Sequence, residues 1–439
     1  MNALAEPEGD GKSTHKLSGM KRIFITFLVL ISLLCKTMAQ VFVPNYDEAL
    51  VPDYVLPDPL VFEDGRIVDD LGKWTQRRQE ILGLFQQEMF GFSPSWDGKV
   101  EAMELVRLDD AFDGQAITRE VRLTLIFEGR ELNMDVLMHL PRVSGPVPLF
   151  LGLNFFGNHT TAYAEGVQIT TKWVRDNESF GIFNNHATAV SRGVRVARWP
   201  AEEIIARGYG LATIYCGDID PDYEHGFSEG VHQLMGVNRD STSWGTIAAW
   251  AWGLSRALDY LSTDPYIDSE KIIVVGHSRL GKAALWAGAT DERFAMAISN
   301  NSGCGGAAIS RRQFGETVAR INTIFPYWFS NRFKEYNGRE SDLPVDQHQL
   351  IALMAPRPVY VASAEDDRWA DPKGEFLACL AATPVYQLFG LEGLPLKEMP
   401  LVNEPAFGTI GYHIRPGVHD ITVYDWLQYI GFADKHFKE

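Results

Sequence analysis

The sequence is poor in cysteine and contains no cluster of basic residues. Four cysteines in 439 residues are too few for a small disulfide-stabilised fold, and their scattered spacing argues against a zinc site. Acidic residues outnumber basic residues by 57 to 40, which gives a net charge of −17. Because nucleic-acid binding requires clustered Lys and Arg to neutralise phosphates, this balance argues against a DNA or RNA partner. Repeats and low-complexity tracts are also missing, while 46% of the residues are hydrophobic, enough for a large folded domain.

An apolar run near the N-terminus is too short to cross a membrane. The basic pair Lys21 and Arg22 precedes a twelve-residue apolar run that ends at Leu34, whereas a bilayer requires about 20 apolar residues. Small residues follow, the last of them Ala39, in the arrangement typical of a secretory signal peptide. We therefore predict residues 1–39 to be an N-terminal extension with a signal peptide, cleaved near Ala39, and the protein to be secreted or periplasmic.

The predicted mature protein, residues 40–439, retains three cysteines: Cys216, Cys304 and Cys379. Three cysteines allow at most one intramolecular disulfide, which an exported protein can form, and leave one thiol unpaired. Met20, directly before the basic pair, is an alternative start of translation.

Strand and helix patterns alternate along this mature chain. A helix is predicted at 71–89, followed by an antiparallel hairpin of residues 117–127 and 132–140. Short, unbroken apolar runs, typical of buried parallel strands, occur at 147–153, 210–215, 271–275, 295–299, 359–364 and 411–415. Helical spacing of apolar residues occurs at 247–261 and 421–433. The alternation predicts one α/β domain, a three-layer sandwich whose mostly parallel sheet has an antiparallel N-terminal hairpin and helices on both faces.

The segment 271–282, KIIVVGHSRLGK, contains a candidate nucleophile. An apolar strand leads into Gly276, His277 and Ser278, and an alanine-rich helix follows. This is the context of the nucleophile elbow of an α/β-hydrolase, where a tight turn lifts a serine hydroxyl out of the sheet. The second glycine, Gly281, comes one residue later than in the usual G-x-S-x-G pattern. The alternative is an ordinary strand followed by a helix with Ser278 as its N-cap.

In an α/β-hydrolase, the acid and then the histidine of the triad follow the serine along the chain. The histidines after Ser278 are His348, His413, His419 and His436. We favour His419 as the base, because it lies in a loop between the last predicted strand and the last helix, whereas His413 is predicted to lie within that strand. The acid is expected among the carboxylates that follow the strand 359–364, unless these form only a solvated acidic loop.

The segment Gly276-His277-Ser278-Arg279-Leu280-Gly281-Lys282 resembles the G-C/H-S-R-x-G-K signature of carbohydrate esterase family 15, the glucuronoyl esterases. The similarity extends over most of the mature chain and includes the segments 218–222, 244–260, 302–306, 322–329 and 369–372. This family cleaves the ester between (4-O-methyl-)glucuronic acid side chains of glucuronoxylan and lignin alcohols. The resemblance therefore implies a carboxylic ester hydrolase that forms an acyl-enzyme on Ser278, with His419 as the general base.

The resemblance also implies roles for four further residues. Arg279 matches the arginine that helps to hold the oxyanion together with backbone N–H groups, and Lys282 matches a lysine that contacts sugar hydroxyls. Glu316 and Trp369 occupy positions at which family members bind the uronic acid. The structural alternatives are a helix-surface charge for Lys282, an ion pair with Arg320 for Glu316, and a plain core position for Trp369.

One position departs from the family pattern. Many members, including the fungal ones, carry a glutamate before Ser-Gly beyond the strand that follows the nucleophile, whereas this sequence has Asn301 there. Some bacterial members place the carboxylate after the later strand instead. We therefore expect Asp367, the third residue past the strand 359–364, to be the triad acid, with Glu365 and Asp366 as rivals.

Three functions are compatible with these features. The first is a glucuronoyl esterase, and the second is an esterase of the same fold that acts on acetylated xylan or another carbohydrate ester. The third is a carbohydrate-binding pseudoenzyme that has lost its acid at Asn301, although the intact Ser278 and His419 argue against it. No metal or cofactor is expected, because no group of His, Cys and carboxylates has ligand spacing. We expect a monomer that is not attached to a membrane after signal cleavage, with a glucuronoxylan–lignin ester as its substrate.

Overall fold

In a computed structural model, which describes residues 42–236, 240 and 242–438, a ten-stranded sheet organises the chain. Two further strands, β5 and β6, form a separate hairpin. The strands are β1 (Lys99–Ala111), β2 (Ala116–Phe127), β3 (Arg130–Pro141), β4 (Val147–Asn154), β5 (Ile182–Phe183), β6 (His186–Ala187), β7 (Gly210–Tyr215), β8 (Ile267–His277), β9 (Met296–Asn300), β10 (Val359–Ala364), β11 (Ala406–Phe407) and β12 (Ile410–Arg415). Their order across the sheet is β1-β2-β3-β7-β4-β8-β9-β10-β12-β11. Pairing is parallel from β7 to β12 and antiparallel from β1 to β7, which confirms the predicted mostly parallel core and the N-terminal hairpin.

Helices cover both faces of the sheet, as predicted. The helices are α1 (Leu71–Phe85), α2 (Ala201–Ala206), α3 (Cys216–Ile219), α4 (Val231–Met235), α5 (Thr246–Leu261), α6 (Arg279–Thr290), α7 (Val318–Ile324), α8 (Gln347–Ala352), α9 (Pro372–Leu388) and α10 (Val423–Phe437). Successive strand residues point to opposite faces, so Leu149 and Leu151 of β4 belong to the apolar cluster under α5 and α6, while Phe150 belongs to a second cluster with residues of α2 and α10. Two apolar clusters therefore enclose the sheet as an α/β-hydrolase fold.

The predicted hairpin forms, but the strand before it was not predicted. Glu128 and Gly129 turn the chain between β2 and β3 with φ values of 47° and 77°, the left-handed conformation that a two-residue hairpin turn requires. Strand β1 pairs with β2 at the edge of the sheet, and most of its side chains are exposed. Because neither face of this strand is fully buried, its sequence lacks the apolar pattern that would have indicated a strand.

The predicted leader, residues 1–39, lies outside the described residues, so its cleavage stays a prediction. Within the described part of the chain, no helix is both long and apolar enough to span a membrane. Cys216, Cys304 and Cys379 are buried and free, so these three thiols form no disulfide with one another.

Candidate active site

Ser278 lies at a strained turn between β8 and α6. Its φ of 60° and ψ of −129° are unusual for a residue with a side chain, and its hydroxyl does not cap the helix. A Cβ atom at Gly276 would overlap the carbonyl oxygen of Leu280, so this turn requires glycine. A Cβ atom at Gly281 would lie 3.0 Å from the Gly276 oxygen and 3.1 Å from Ser302 Cβ. The close approach of helix to strand thus falls at residue 281, which accounts for the displaced second glycine.

His419 lies in the loop between β12 and α10 and contacts a carboxylate from the loop after β10. The His419 Nδ1 atom lies 2.5 Å from Asp367 Oδ2, and the Asp367 side chain is only 4% exposed. Asn301 donates from Nδ2 to the same oxygen at 2.8 Å. Glu365 and Asp366 are exposed. The structure therefore brings Asp367 to the histidine, and Asn301 becomes a neutral partner of that carboxylate.

Arg415, the last residue of β12, holds the loop that carries His419. Its guanidinium donates to three carbonyl oxygens of residues 416–420 at 2.5 to 3.2 Å, and its Nε donates to Asp425 Oδ2 at 2.8 Å. Because Arg415 is buried, this anchoring is protected from water. No sequence motif marks Arg415, since three of its partners are backbone carbonyl oxygens.

His277 packs beside the proposed base without acting as a second one. The two imidazole rings of His277 and His419 have centroids 4.5 Å apart, and His277 Nδ1 lies 2.5 Å from Asn300 Oδ1. Burial holds the pKa of His277 well below its usual value, and the neighbouring His419 charge adds to this effect. His277 is therefore neutral at physiological pH and forms a wall of the site.

The Arg279 side chain is fixed beside the elbow by a buried acid and by aromatic rings. Its guanidinium pairs with Asp222, which also accepts hydrogen bonds from Tyr327 Oη at 3.0 Å and Trp328 Nε1 at 2.9 Å. The Arg279 Cζ atom lies 5.1 Å from the Trp328 ring and 5.4 Å from the Phe155 ring. These contacts place a cation next to Ser278. Asp222 lies in the segment 218–222, which contributed to the family resemblance, but the sequence alone indicated no role for it. A partly buried arginine needs a counter-ion, and this requirement of Arg279 could have indicated an acidic partner.

One cleft of about 370 Å³ lies next to the elbow. All the predicted site residues line it: Ser278, Arg279, Lys282, Glu316, Asp367, Trp369 and His419. Lys282 is not a helix-surface charge, because its Nζ is buried and donates to Ser302 O at 2.6 Å and Cys304 O at 2.5 Å. The same Nζ lies 3.7 Å from Glu316 Oε2.

Glu316 and Trp369 complete the polar end of this cleft. The Trp369 indole is hydrogen-bonded to the Glu316 carboxylate. Burial raises the pKa of Glu316, while the positive charge of Lys282 opposes that shift. Trp369 is only partly buried and lines the cleft, so it does not occupy a plain core position.

Known proteins with the same fold and sequence pattern support a family assignment. The family model described as "Glucuronyl esterase, fungi" matches residues 218–390. Carbohydrate esterase MZ0003, from an unknown prokaryotic organism, is 52% identical over 400 residues, which cover 89% of this chain and 92% of the relative. The chain belongs to carbohydrate esterase family 15.

Two solved structures of this family have nearly the same fold as the chain. A promiscuous family 15 esterase from a marine bacterial metagenome is 51% identical, with a TM-score of 0.85, covering 90% of this chain and 100% of that one. A glucuronoyl esterase from Solibacter usitatus is 45% identical, with a TM-score of 0.83 and coverages of 89% and 100%. The resemblance expected from the sequence is confirmed, and the protein is a carboxylic ester hydrolase.

The structure gives no sign of a metal centre in the part that it describes. Residues 42–236, 240 and 242–438 contain no group of three or more His, Cys, Asp and Glu side chains arranged to hold an ion.

Proposed function

We propose that this enzyme is a serine glucuronoyl esterase. Its substrate would be the ester between (4-O-methyl-)glucuronic acid side chains of glucuronoxylan and lignin alcohols. The observation that carries the proposal is that one cleft is lined by a serine at an elbow, a His–Asp pair, and the buried Lys282–Glu316 pair with Trp369. An apolar acyl group in this cleft would leave Lys282 and Glu316 without new partners, whereas a sugar ring offers hydroxyls to both.

The proposed reaction has two steps. Ser278 Oγ attacks the ester carbonyl carbon while His419 takes the hydroxyl proton, and His419 then gives that proton to the departing alcohol oxygen. Water, deprotonated by His419, next attacks the carbonyl carbon of the acyl-enzyme; His419 gives that proton to the departing Ser278 Oγ, and the released acid ionises to glucuronate. Asp367 fixes the Nδ1–H tautomer of His419 and stabilises the imidazolium that forms in each step.

The oxyanion of each tetrahedral intermediate would be held at the start of α6. The Arg279 backbone N–H lies in the first helical turn, where N–H groups have no partner within the helix. The Arg279 guanidinium, held by Asp222 beside Ser278, supplies a positive charge there. Loss of one such donor typically costs about 10²–10³ in rate.

The other two functions that the sequence allowed have less support. The pseudoenzyme hypothesis depended on the missing acid at Asn301, and the Asp367–His419 contact supplies a carboxylate. Activity on acetyl or other carbohydrate esters remains the second candidate, since the solved relative that is 51% identical is called promiscuous. Secretion, supported by the predicted signal peptide, and a monomeric state are also part of the proposal.

The proposal is tested by comparing two esters. We expect kcat/KM to be higher for benzyl glucuronate than for p-nitrophenyl acetate once each value is divided by the rate of uncatalysed hydrolysis of the same ester. A ratio that favours the acetate by orders of magnitude would make the second candidate the better description. Ser278→Ala is the matched control: equal activity of this variant and the wild type would overturn both esterase functions.

A further inference from the structure

A second cleft, of about 270 Å³, meets the catalytic cleft at Ser278, Arg279 and His419. Its remaining lining residues are not shared with the first: Phe155, Phe156, Phe180, Arg195, Arg198 and His277. An ester extends in two directions from its carbonyl carbon. If the uronic acid occupies the first cleft, the second cleft is open to the alcohol.

Aromatic rings form one wall of this second cleft. Phe156 and Phe180 meet edge to face with centroids 5.3 Å apart, and Phe155 lies 6.3 Å from Phe156. All three side chains are only partly buried, so their faces are accessible to a ligand. The volume is slightly below the range of about 300–1,000 Å³ that holds drug-sized ligands, which suits a single substituted ring.

The second cleft also has a positively charged part, formed by the guanidinium groups of Arg195 and Arg198. Arg198 is already paired, because its Nε lies 2.5 Å from Asp420 Oδ1. The Arg195 guanidinium lies 5.0 Å from the Phe180 ring and, among the described residues, has neither a hydrogen-bond acceptor nor an ion-pair partner for its side chain. No acidic side chain lines this cleft. Although the whole chain has a net charge of −17, the alcohol side of the elbow is therefore positive.

Both arginines remain charged at neutral pH. Burial and the neighbouring Arg195 lower the pKa of Arg198 to about 10, and burial also lowers the pKa of Arg195, while the negative charge of Asp420 opposes both shifts. The Arg195 guanidinium is half-buried, and the distant charge of Asp420 does not replace a hydrogen-bonded anion, so an anion bound directly beside Arg195 would offset part of the cost of its burial. A neutral alcohol would contact the aromatic rings but would not provide a negatively charged partner for the Arg195 guanidinium.

We propose that the second cleft selects an aromatic leaving alcohol that carries a carboxylate, with its ring against Phe156 and Phe180 and its carboxylate on Arg195. This inference rests on the proposed function, because it assigns the first cleft to the uronic acid. The pairing is charge-assisted and partly shielded from water, so it is stronger than an exposed surface ion pair.

Three glucuronate esters test the proposal: those of benzyl alcohol, 4-carboxybenzyl alcohol and 4-carbamoylbenzyl alcohol. The carbamoyl ester is the matched control, because it has nearly the size of the carboxylate ester but no charge. We expect kcat/KM for the carboxylate ester to exceed that for the carbamoyl ester about tenfold at low salt, as for one charge-assisted hydrogen bond. The preference should shrink as NaCl rises from about 20 mM to about 0.5 M, because the cleft is open to ions.

Variants then assign the preference to Arg195. Arg195→Gln should bring the ratio close to one and Arg195→Lys should restore part of it, while Arg207→Gln should leave it unchanged. Arg207 is an exposed arginine that lies 3.8 Å from Asp434 and outside the cleft, so its replacement changes the net charge equally. Because each ratio compares two substrates on one enzyme, a partly misfolded variant does not alter it.

The outcomes separate this inference from the proposed function. Hydrolysis of all three esters at equal kcat/KM by the wild type would overturn the inference alone. A preference that persists in Arg195→Gln would also overturn it. Failure of the wild type to hydrolyse any of the three esters would instead refute the proposed function.

Discussion

Asp367→Asn is expected to reduce kcat about 10³-fold, and the size of this loss follows from the contact with His419. When His419 takes the Ser278 proton, an imidazolium forms whose charge lies about 4 Å from that of the carboxylate, since Nδ1 and Oδ2 are 2.5 Å apart. At an effective dielectric constant of about 20, this attraction amounts to about 4 kcal/mol. Each 1.36 kcal/mol of the barrier is worth about tenfold in rate, which gives about three orders of magnitude.

The substitution removes the charge with little change in shape. Asp367 Oδ2 accepts from His419 Nδ1 and from Asn301 Nδ2 at once, and the carbonyl oxygen of an asparagine can accept both hydrogen bonds. The fold and the tautomer are therefore expected to survive. The loss should appear in kcat, while KM for benzyl glucuronate changes little, because Asp367 acts on the base and not on the sugar.

The assay measures kcat on benzyl glucuronate, with circular dichroism and Tm as folding checks. Glu365→Gln is the matched control, since it neutralises an exposed carboxylate of the same loop and should stay within about twofold of the wild type, as exposed charges contribute little. If Asp367→Asn retained more than about a tenth of the wild-type kcat, the charge argument would be refuted. If Glu365→Gln lost more than Asp367→Asn, the acid would have to be moved to Glu365.

Three further predictions concern stability. Gly281→Ala should lower the free energy of unfolding by about 1–3 kcal/mol, because its Cβ would lie 3.1 Å from Ser302 Cβ. By contrast, Gly83→Ala, in the last turn of α1 with no atom within 4 Å of its added Cβ, should raise Tm. For Glu375, burial raises the pKa from 4.5 to about 8, so folding favours the protonated form, and wild-type stability should fall by about 1 kcal/mol per pH unit between these values. Glu375→Gln resembles the protonated form, and its Tm should lack that part of the slope; parallel Tm–pH curves for variant and wild type would contradict the assignment.

The central strands could be predicted from the sequence because they are buried on both faces. The predicted ranges 210–215 and 359–364 coincide with β7 and β10, and each consists only of buried residues. Strand β1 and the end of α1 could not be predicted in the same way. The exposed edge strand has no apolar pattern, and the predicted helix 71–89 continues past Phe85 as a π-helical turn that ends at Phe90.

The proximity of the candidate site residues could also be predicted from the sequence, since these residues follow the carboxyl ends of parallel strands. Ser278 follows β8, the acidic run follows β10, and His419 follows β12, and these ends share one edge of the sheet. The sequence could not choose among the three consecutive carboxylates, because that choice depends on which side chain turns inward. It also gave no sign of Arg195 or Arg415, whose roles depend on neighbours distant in the chain.

Family members differ in whether the triad acid follows the strand equivalent to β9 or the strand equivalent to β10. Both positions are compatible with one catalytic geometry, because β9 and β10 are adjacent and parallel. Asn301 directly follows β9, and its N–H donates to Ala362 O of β10 at 2.7 Å, so the two strand ends lie side by side. A carboxylate from either loop can therefore approach the same histidine. A glutamate at 301 together with Asp367 would place two like charges in one buried site, which would raise the pKa of one carboxyl. Asn301 avoids that conflict, and its side chain donates to Asp367 Oδ2, the same oxygen that faces His419 Nδ1.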